Sequence, residues 1–330
     1  MSDAILQVRG LSVDIRVPTG ILHAVSDVSF EVRREETFCL VGESGCGKTM
    51  TSLAIMGLLP KRAVRTAERL RLENRDLGAL DEAALSDLRG NDMAMIFQDA
   101  TSALNPVFTI GSQLEEVYLR HRKAPRSEAR GRAEYLLARL GINAPELRLR
   151  QYPHELSGGM RQRMMIAMAL MCEPRVVIAD EPTTALDVTV QAQILRLLAE
   201  LQEELKISLI LIAHDLGVVA NVAHRVAVMY AGSIVETGSV QQVFAAPTHP
   251  YTQKLMACIP KRGQPLGTIA GMVPTLIGDL SGCLFRNRCE RASPSCEQRR
   301  IALRDADPGH AYRCLLDAGT LRHRHGNAHE

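Results

Sequence analysis

Tryptophan is absent, and phenylalanine and tyrosine contribute only six residues each to a chain of 330. That excludes an aromatic-rich binding surface. Charge of a single sign is missing as well: 39 Lys and Arg stand against 37 Asp and Glu, a balance of +2. A disordered polyelectrolyte is thereby excluded, and a whole-chain nucleic-acid binder is disfavoured. Long apolar runs are also lacking. The best candidate, residues 208–232, is interrupted by His214, Asp215, Asn221, His224 and Arg225. About 18–20 uninterrupted apolar residues are needed to cross a bilayer. The opening MSDAILQVRG shows no basic stretch leading into an apolar core, so no signal peptide is expected. The expectation is a soluble chain, at most peripheral to a membrane.

What is present suits a globular protein. Apolar residues make up 46%, an ordinary share, and the length suggests about two domains. Cysteine is uneven. Cys39, Cys46, Cys172 and Cys258 are scattered, whereas Cys283, Cys289, Cys296 and Cys314 crowd together near the end. In a reducing compartment such a cluster points to metal more than to disulfides.

Strand and helix patterns alternate. TFCLVGESGCGKTMTSLAIMGLL (37–59) reads as strand, Gly-rich loop and helix, stopped by Gly57 and Pro60. MAMIF is a short strand. Residues 119–150 form a basic helical stretch, with nine Lys or Arg against three Glu. This is read first as a solvated face, and alternatively as an anion or headgroup contact. Ser157 caps a helix carrying Met160, Met164 and Met168 on one face, which is read as core filler. RVVIADEP is a buried strand ending in two acids. Asp187 opens a helix with Ile194, Leu197, Leu198, Leu201 and Leu205 on one face. ISLILIAHD is another buried strand, and VAVMYAGSIVETG is a hairpin with a Gly turn. The class is α/β with a largely parallel sheet, and the motifs fall just past strand C-termini, where such sheets bind ligands. Beyond Gly238 the chain turns proline-rich and loses periodicity, so a smaller domain is placed at 239–330.

Gly42, Glu43, Ser44, Gly45, Cys46, Gly47, Lys48 and Thr49, with Met50 following, match the phosphate-binding loop G-x-x-x-x-G-K-[ST]. Glycines let backbone N–H groups turn toward phosphates, and the helix N-terminus adds its positive end. Lys48 reaches the β- and γ-phosphates, and Thr49 sets its hydroxyl on Mg²⁺. Cys46 is read as a small residue that fits the loop. Asp180 suits Mg²⁺ binding, and Glu181 is placed to polarise an attacking water. Ser157, Gly158 and Gly159 form a second anion cradle at a helix N-terminus. One nucleotide does not need two γ-phosphate sites in one chain, so this cradle is expected to close on ATP held by another subunit.

Here the sequence resembles the nucleotide-binding subunits of ATP-binding cassette (ABC) transporters, over residues 1–240. The resemblance implies a P-loop NTPase cassette, 1–238, with a RecA-like core and a helical subdomain over about 99–172. It gives Gln98 a role at Mg²⁺ and the attacking water, His214 a contact to the γ-phosphate, and Ala185-Leu186-Asp187 a place at a dimer interface. Glu181, His214 and Gln98 are thus the catalytic expectations, and Thr49, Gln98 and Asp180 the Mg²⁺ residues. The sequence departs from the family near its start, where an aromatic normally stacks on adenine. Ile15 is the best match there. Ala100, Thr101 and Thr184 are milder departures.

The segments QDATSALNPVFTIGSQL, YPHELSGGM and HPYTQKL (249–255), followed by four cysteines, resemble the dipeptide and oligopeptide importer subfamily, whose traits nickel and glutathione importers share. Spacings of five, six and seventeen residues between the cysteines can bring four thiolates to one centre. They are not the paired spacing of a zinc ribbon. From spacing alone, iron–sulfur, zinc and no metal stay open. The resemblance implies a four-iron four-sulfur cluster on Cys283, Cys289, Cys296 and Cys314. It also implies an ATPase powering an importer, with a paralogous second cassette subunit, two membrane permeases and an external binding protein as partners. The chain would lie on the cytoplasmic face of a bacterial inner membrane, without nucleic acid. Asp99 to Leu114 would receive the permease. Two rivals are weighed. A repair or translation ATPase would need a long coiled-coil insertion or two cassettes, and only 115 positions separate Gly42 from Ser157. A catalytically dead regulatory cassette is opposed by intact Lys48, Asp180, Glu181 and His214.

Overall fold

The computed structural model describes residues 3–183, 187–214, 216–259, 267–278, 280–298 and 301–322. Its strands in chain order are β1 (Ala4–Val17), β2 (Gly20–Arg33), β3 (Thr37–Val41), β4 (Ala63–Thr66), β5 (Arg69–Leu72), β6 (Arg75–Asp76), β7 (Met93–Ile96), β8 (Val176–Asp180), β9 (Ser208–Ala213), β10 (Arg225–Tyr230), β11 (Ser233–Ser239), β12 (Arg304–Asp307) and β13 (His310–Tyr312). Contacts divide the chain into two compact units. One comprises Met1–Ile5, Val32–Thr37 and Ala79–Ile212; the other comprises Leu6–Glu31, Phe38–Gly78 and Ala213–Glu330.

In the first unit β7, β8 and β9 run parallel, with Ile96 beside Ala179 and Asp180 beside Ile212. MAMI and VVIAD are buried throughout and SLILIA nearly so, the continuous apolar pattern of parallel strands covered on both faces. The helices Ile110–His121, Arg126–Arg139 and Gly158–Leu170 pack on one another. Leu136, Leu137, Met164 and Ile166 are fully buried between them. The methionine face is therefore core at Met164 and half-covered at Met160 and Met168. The helix Val188–Leu205 buries Ile194, Leu198 and Leu201.

The basic stretch is not a bare cationic face. Arg126 donates to Glu115 at 2.6 Å, Arg120 lies 2.6 Å from Asp87 and Arg132 3.1 Å from Glu173, and Arg139 pairs with Glu204. Acids from Asp87 to Glu204 thus pair with part of this stretch. The stretch is also broken where Arg122 ends one helix and Pro125 caps the next.

In the second unit an antiparallel sheet has the order β2-β1-β5-β6, with β4 also on β1. β3 lies parallel to β10, and β10 turns into β11 through Ala231 and Gly232, both with positive φ, as the hairpin pattern required. The tail then extends this sheet: β11 pairs with β13, Glu236 opposite Tyr312, and β13 pairs with β12. Glu236 anchors the arrangement. It is fully buried and accepts hydrogen bonds of 2.7 Å from the Thr248 and His249 amides, with His310 Nε2 also at 2.7 Å. Such a buried carboxylate is tolerable because donors surround it. Among the described residues no helix is long and apolar enough to cross a membrane.

Candidate nucleotide site

The phosphate-loop motif sits where the sequence put it, between buried β3 and the helix Lys48–Met56. Gly42 has φ +153°, and a Cβ there would lie 2.2 Å from the Met229 carbonyl oxygen, so only glycine fits. Lys48 is buried, and its Nζ donates to the carbonyls of Gly42 (2.8 Å) and Glu43 (3.1 Å). The ammonium is thus held inside the curl of the loop. Ser44, Gly45 and Thr49 are exposed, and Met50 is half-buried. Cys46 is buried, and burial pushes its thiol up despite the nearby Lys48, which fits a packing residue and not a reactive one.

Asp180 ends β8 and is buried. Glu181 follows in a left-handed conformation, φ 44°, with its amide donating to the Ile212 carbonyl at 3.1 Å. A non-glycine residue in that region stores strain that surrounding structure must hold, and nothing in the sequence signalled it. Gln98, two residues past β7, donates from Nε2 to Glu181 Oε2 at 3.0 Å. The structure therefore brings together two residues that the sequence separates by more than eighty positions.

Two caps complete the set in the first unit. Ser157 Oγ accepts from the Met160 amide at 3.3 Å, and Asp187 Oδ1 from the Val190 amide at 3.0 Å. Among the described residues, apart from its chain neighbours and its own helix backbone, nothing lies within 4 Å of a Cβ built on Gly158, while one on Gly159 would touch Val190 at 3.6 Å. Thr101 accepts from Arg161 at 3.1 Å, tying the segment after Gln98 to the LSGGMRQ helix. In the second unit His214 is exposed just past β9. Ile15 lies half-buried on β1 opposite Ala63. Thr184, Ala185 and Leu186 lie outside the described residues.

Residues 25–184 match the family described as ABC transporter, and residues 235–296 match the oligopeptide/dipeptide transporter C-terminal region. Over 325 residues, 97% of each chain, this protein is 46% identical to the dipeptide transport ATP-binding protein DppD of Bacillus subtilis. The chain belongs to the ATP-binding subunits of ABC transporters. DppD of Escherichia coli is 45% identical over 322 residues, 96% of this chain and 98% of that one. Among solved structures, the bacterial ABC transporter cassette MJ0796 in its dimeric form aligns with TM-score 0.64 at 26% identity. It covers 71% of this chain and 98% of that one. CbiO1 of Clostridium perfringens aligns with TM-score 0.62 at 29% identity, covering 74% and 92%. This ABC subunit is accordingly an ATPase with a P-loop cassette fold, for which ATP and Mg²⁺ are the expected ligands.

The tail of the ABC subunit places Cys283, Cys289, Cys296 and Cys314 all half-buried, with the Cys283 amide donating to the Cys296 carbonyl at 2.7 Å. Burial pushes the Cys283 thiol up to about 11, and the charges of Cys314, Cys296 and Cys289 add to the rise. Among the described residues no three His, Cys, Asp or Glu side chains are close enough to hold a metal ion. A single tetrahedral ion needs each sulfur about 2.3 Å from one centre, and four thiolates crowded that closely repel without a cation between them.

One group of residues escaped sequence reading. Arg288 is buried, and its two terminal nitrogens face the two carboxylate oxygens of Glu43 at 2.7 and 2.9 Å. The Glu43 amide donates to the Tyr251 hydroxyl at 2.9 Å. Tyr230, Tyr251 and Phe285 meet beside this pair in tilted and edge-to-face contacts, with ring centroids 4.7 to 5.4 Å apart. Tyr230, Tyr251 and Phe285 lie on separate elements far apart in sequence, so no local pattern signalled their meeting.

Proposed function

We propose that this chain is the ATP-hydrolysing subunit of a bacterial importer for dipeptides or oligopeptides. The observation that carries the reading is the pairing, in one chain, of a complete phosphate loop with the oligopeptide/dipeptide C-terminal region. In this reading residues 42–50 wrap the ATP phosphates, with Lys48 neutralising charge and Thr49, Asp180 and Gln98 serving Mg²⁺. Glu181 is the general base for the attacking water. The Gln98 bond supports this, because it fixes the carboxylate that would take the proton. His214 faces the γ-phosphate. Ser157, Gly158, Gly159 and Asp187 act on ATP held by a second cassette subunit, supported by the open space at Gly158. ATP joins the two subunits, and hydrolysis reopens them.

The division into a cassette, 1–238, and a tail, 239–330, belongs to the same proposal. So do the partners: a paralogous cassette subunit, two permeases and an external binding protein, at the cytoplasmic face of the inner membrane. Val107 and Phe108, both exposed, support permease docking across Asp99 to Leu114. We assign the four tail cysteines to a four-iron four-sulfur cluster, which would supply the positive charge that four neighbouring thiolates lack. The 2.7 Å bond from the Cys283 amide to the Cys296 carbonyl supports these two cysteines lying in one part of the tail.

The test is reconstitution with the permeases in nanodiscs. Dipeptide-loaded binding protein should stimulate ATP hydrolysis. Stimulation by nickel-loaded or glutathione-loaded binding protein alone would replace the peptide assignment while keeping the importer.

A further inference from the structure

Glu43 is the second residue of the phosphate loop, and its three polar groups are all engaged. Its carbonyl accepts from Lys48 Nζ. Its amide donates to Tyr251, and its carboxylate takes the forked guanidinium of Arg288. Two of those three bonds come from the tail. Arg288 is itself pinned from behind: Nε donates to the Ala270 carbonyl at 3.0 Å and Nη2 to the Ile269 carbonyl at 2.9 Å. Its guanidinium carbon lies 5.7 Å from the Tyr230 ring centre and 6.0 Å from that of Phe285. A fork held this way cannot follow a moving carboxylate, so it fixes where Glu43 sits. We propose that Arg288 is a positioning residue for the phosphate loop, through which the tail presets the loop that receives ATP.

The consequence for binding is entropic. A loop already held in shape loses little freedom when phosphates arrive; a loop released from Arg288 must be ordered by ATP itself, and affinity falls. The same bond gives the tail influence over the nucleotide, since Arg288 is followed directly by Cys289 and its own carbonyl accepts from Lys254 Nζ at 3.1 Å. Neither the phosphate-loop motif nor the four-cysteine pattern requires this link.

The inference rests on residues 42–49 being the ATP-phosphate site, which Lys48→Ala tests separately by abolishing nucleotide binding. The test uses full-length protein titrated with a fluorescent N-methylanthraniloyl ATP. Glu43→Gln and Arg288→Gln should each raise Kd about five- to tenfold, within the usual range of coupling between sites. The double variant should be no weaker than either single one, because both remove one interaction. Arg288→Lys, which keeps charge without the fork, should recover only part of the loss. Hydrogen exchange at residues 42–48 should quicken in each. Glu43→Gln leaves the packing of the tail in place and decides the matter even if Arg288→Gln folds poorly. Wild-type Kd in Glu43→Gln, or losses that add in the double variant, would overturn the proposal even with Lys48→Ala behaving as expected.

Discussion

At the scale of single residues, Glu181 concentrates the chemistry. Its strained backbone and its bond from Gln98 aim one carboxylate. Glu181→Gln keeps shape and hydrogen bonding yet cannot take a proton from water. Turnover should fall about 10²- to 10⁴-fold, the usual worth of a positioned base. ATP should still bind, and an ATP-bound dimer should accumulate on size exclusion. Unchanged turnover would remove Glu181 from the mechanism. Glu181 was readable from the strand it follows, and Gln98 only through the family resemblance. The positive φ at Glu181 was not, since it comes from how β8 and β9 end side by side. His249 shows a second residue-scale effect. Burial lowers its pKa to about 4 from an ordinary 6.5, and its Nδ1 must stay unprotonated to accept the Tyr251 amide at 3.1 Å. The folded state therefore resists a proton that the unfolded chain takes. Stability from this group is intact above pH 6.5 and declines as pH falls toward 4, by at most about 1.4 kcal/mol per pH unit. His249→Asn keeps a capping acceptor without titrating. A melting-temperature profile from pH 7 to 4 should be flatter in that variant than in wild type, and identical slopes would contradict the assignment.

At the scale of elements, the pattern of strands and helices was legible wherever one apolar face repeats. The caps Ser157 and Asp187, the Gly57 stop and the hairpin at 231–232 all stand where local chemistry put them. The tail was not legible. Its strands β12 and β13 are four and three residues long and polar in part, and they exist because β11 offers an edge to pair with. The basic stretch is largely exposed, as the solvated-face reading expects, and its acidic partners lie partly on other elements. The helix opened by Ser157 carries its own prediction. Ser157→Arg fills the space around Gly158 with a large cation while leaving the phosphate loop of the same chain untouched. In the assembled transporter, site-resolved nucleotide trapping should show loss at the partner subunit's phosphate loop. Loss at the variant's own loop instead would refute action across the dimer.

At the scale of the whole molecule, the tail joins the phosphate loop in one compact unit, so the proposed cluster would bear on more than the folding of the tail. Among the described residues beyond 283, the buried large apolar side chains are Phe285, Ile301, Tyr312 and Leu321. The proposed cluster would add folding energy to that core. Anaerobically purified protein should be brown, absorb broadly near 400 nm and carry about four irons and four acid-labile sulfides per chain. A colourless anaerobic preparation with one zinc per chain would replace the cluster by a zinc site. Iron loss should quicken hydrogen exchange across the described tail residues.

The most direct measurement is uptake of a labelled dipeptide into proteoliposomes bearing the complete transporter, with its binding protein outside and ATP within. Wild-type vesicles should accumulate the dipeptide only when ATP is enclosed, and vesicles carrying Glu181→Gln should bind ATP without accumulating it. ATP-driven turnover with no uptake of any dipeptide, or undiminished uptake by Glu181→Gln, would contradict the assignment of this chain as the hydrolytic motor of a peptide importer.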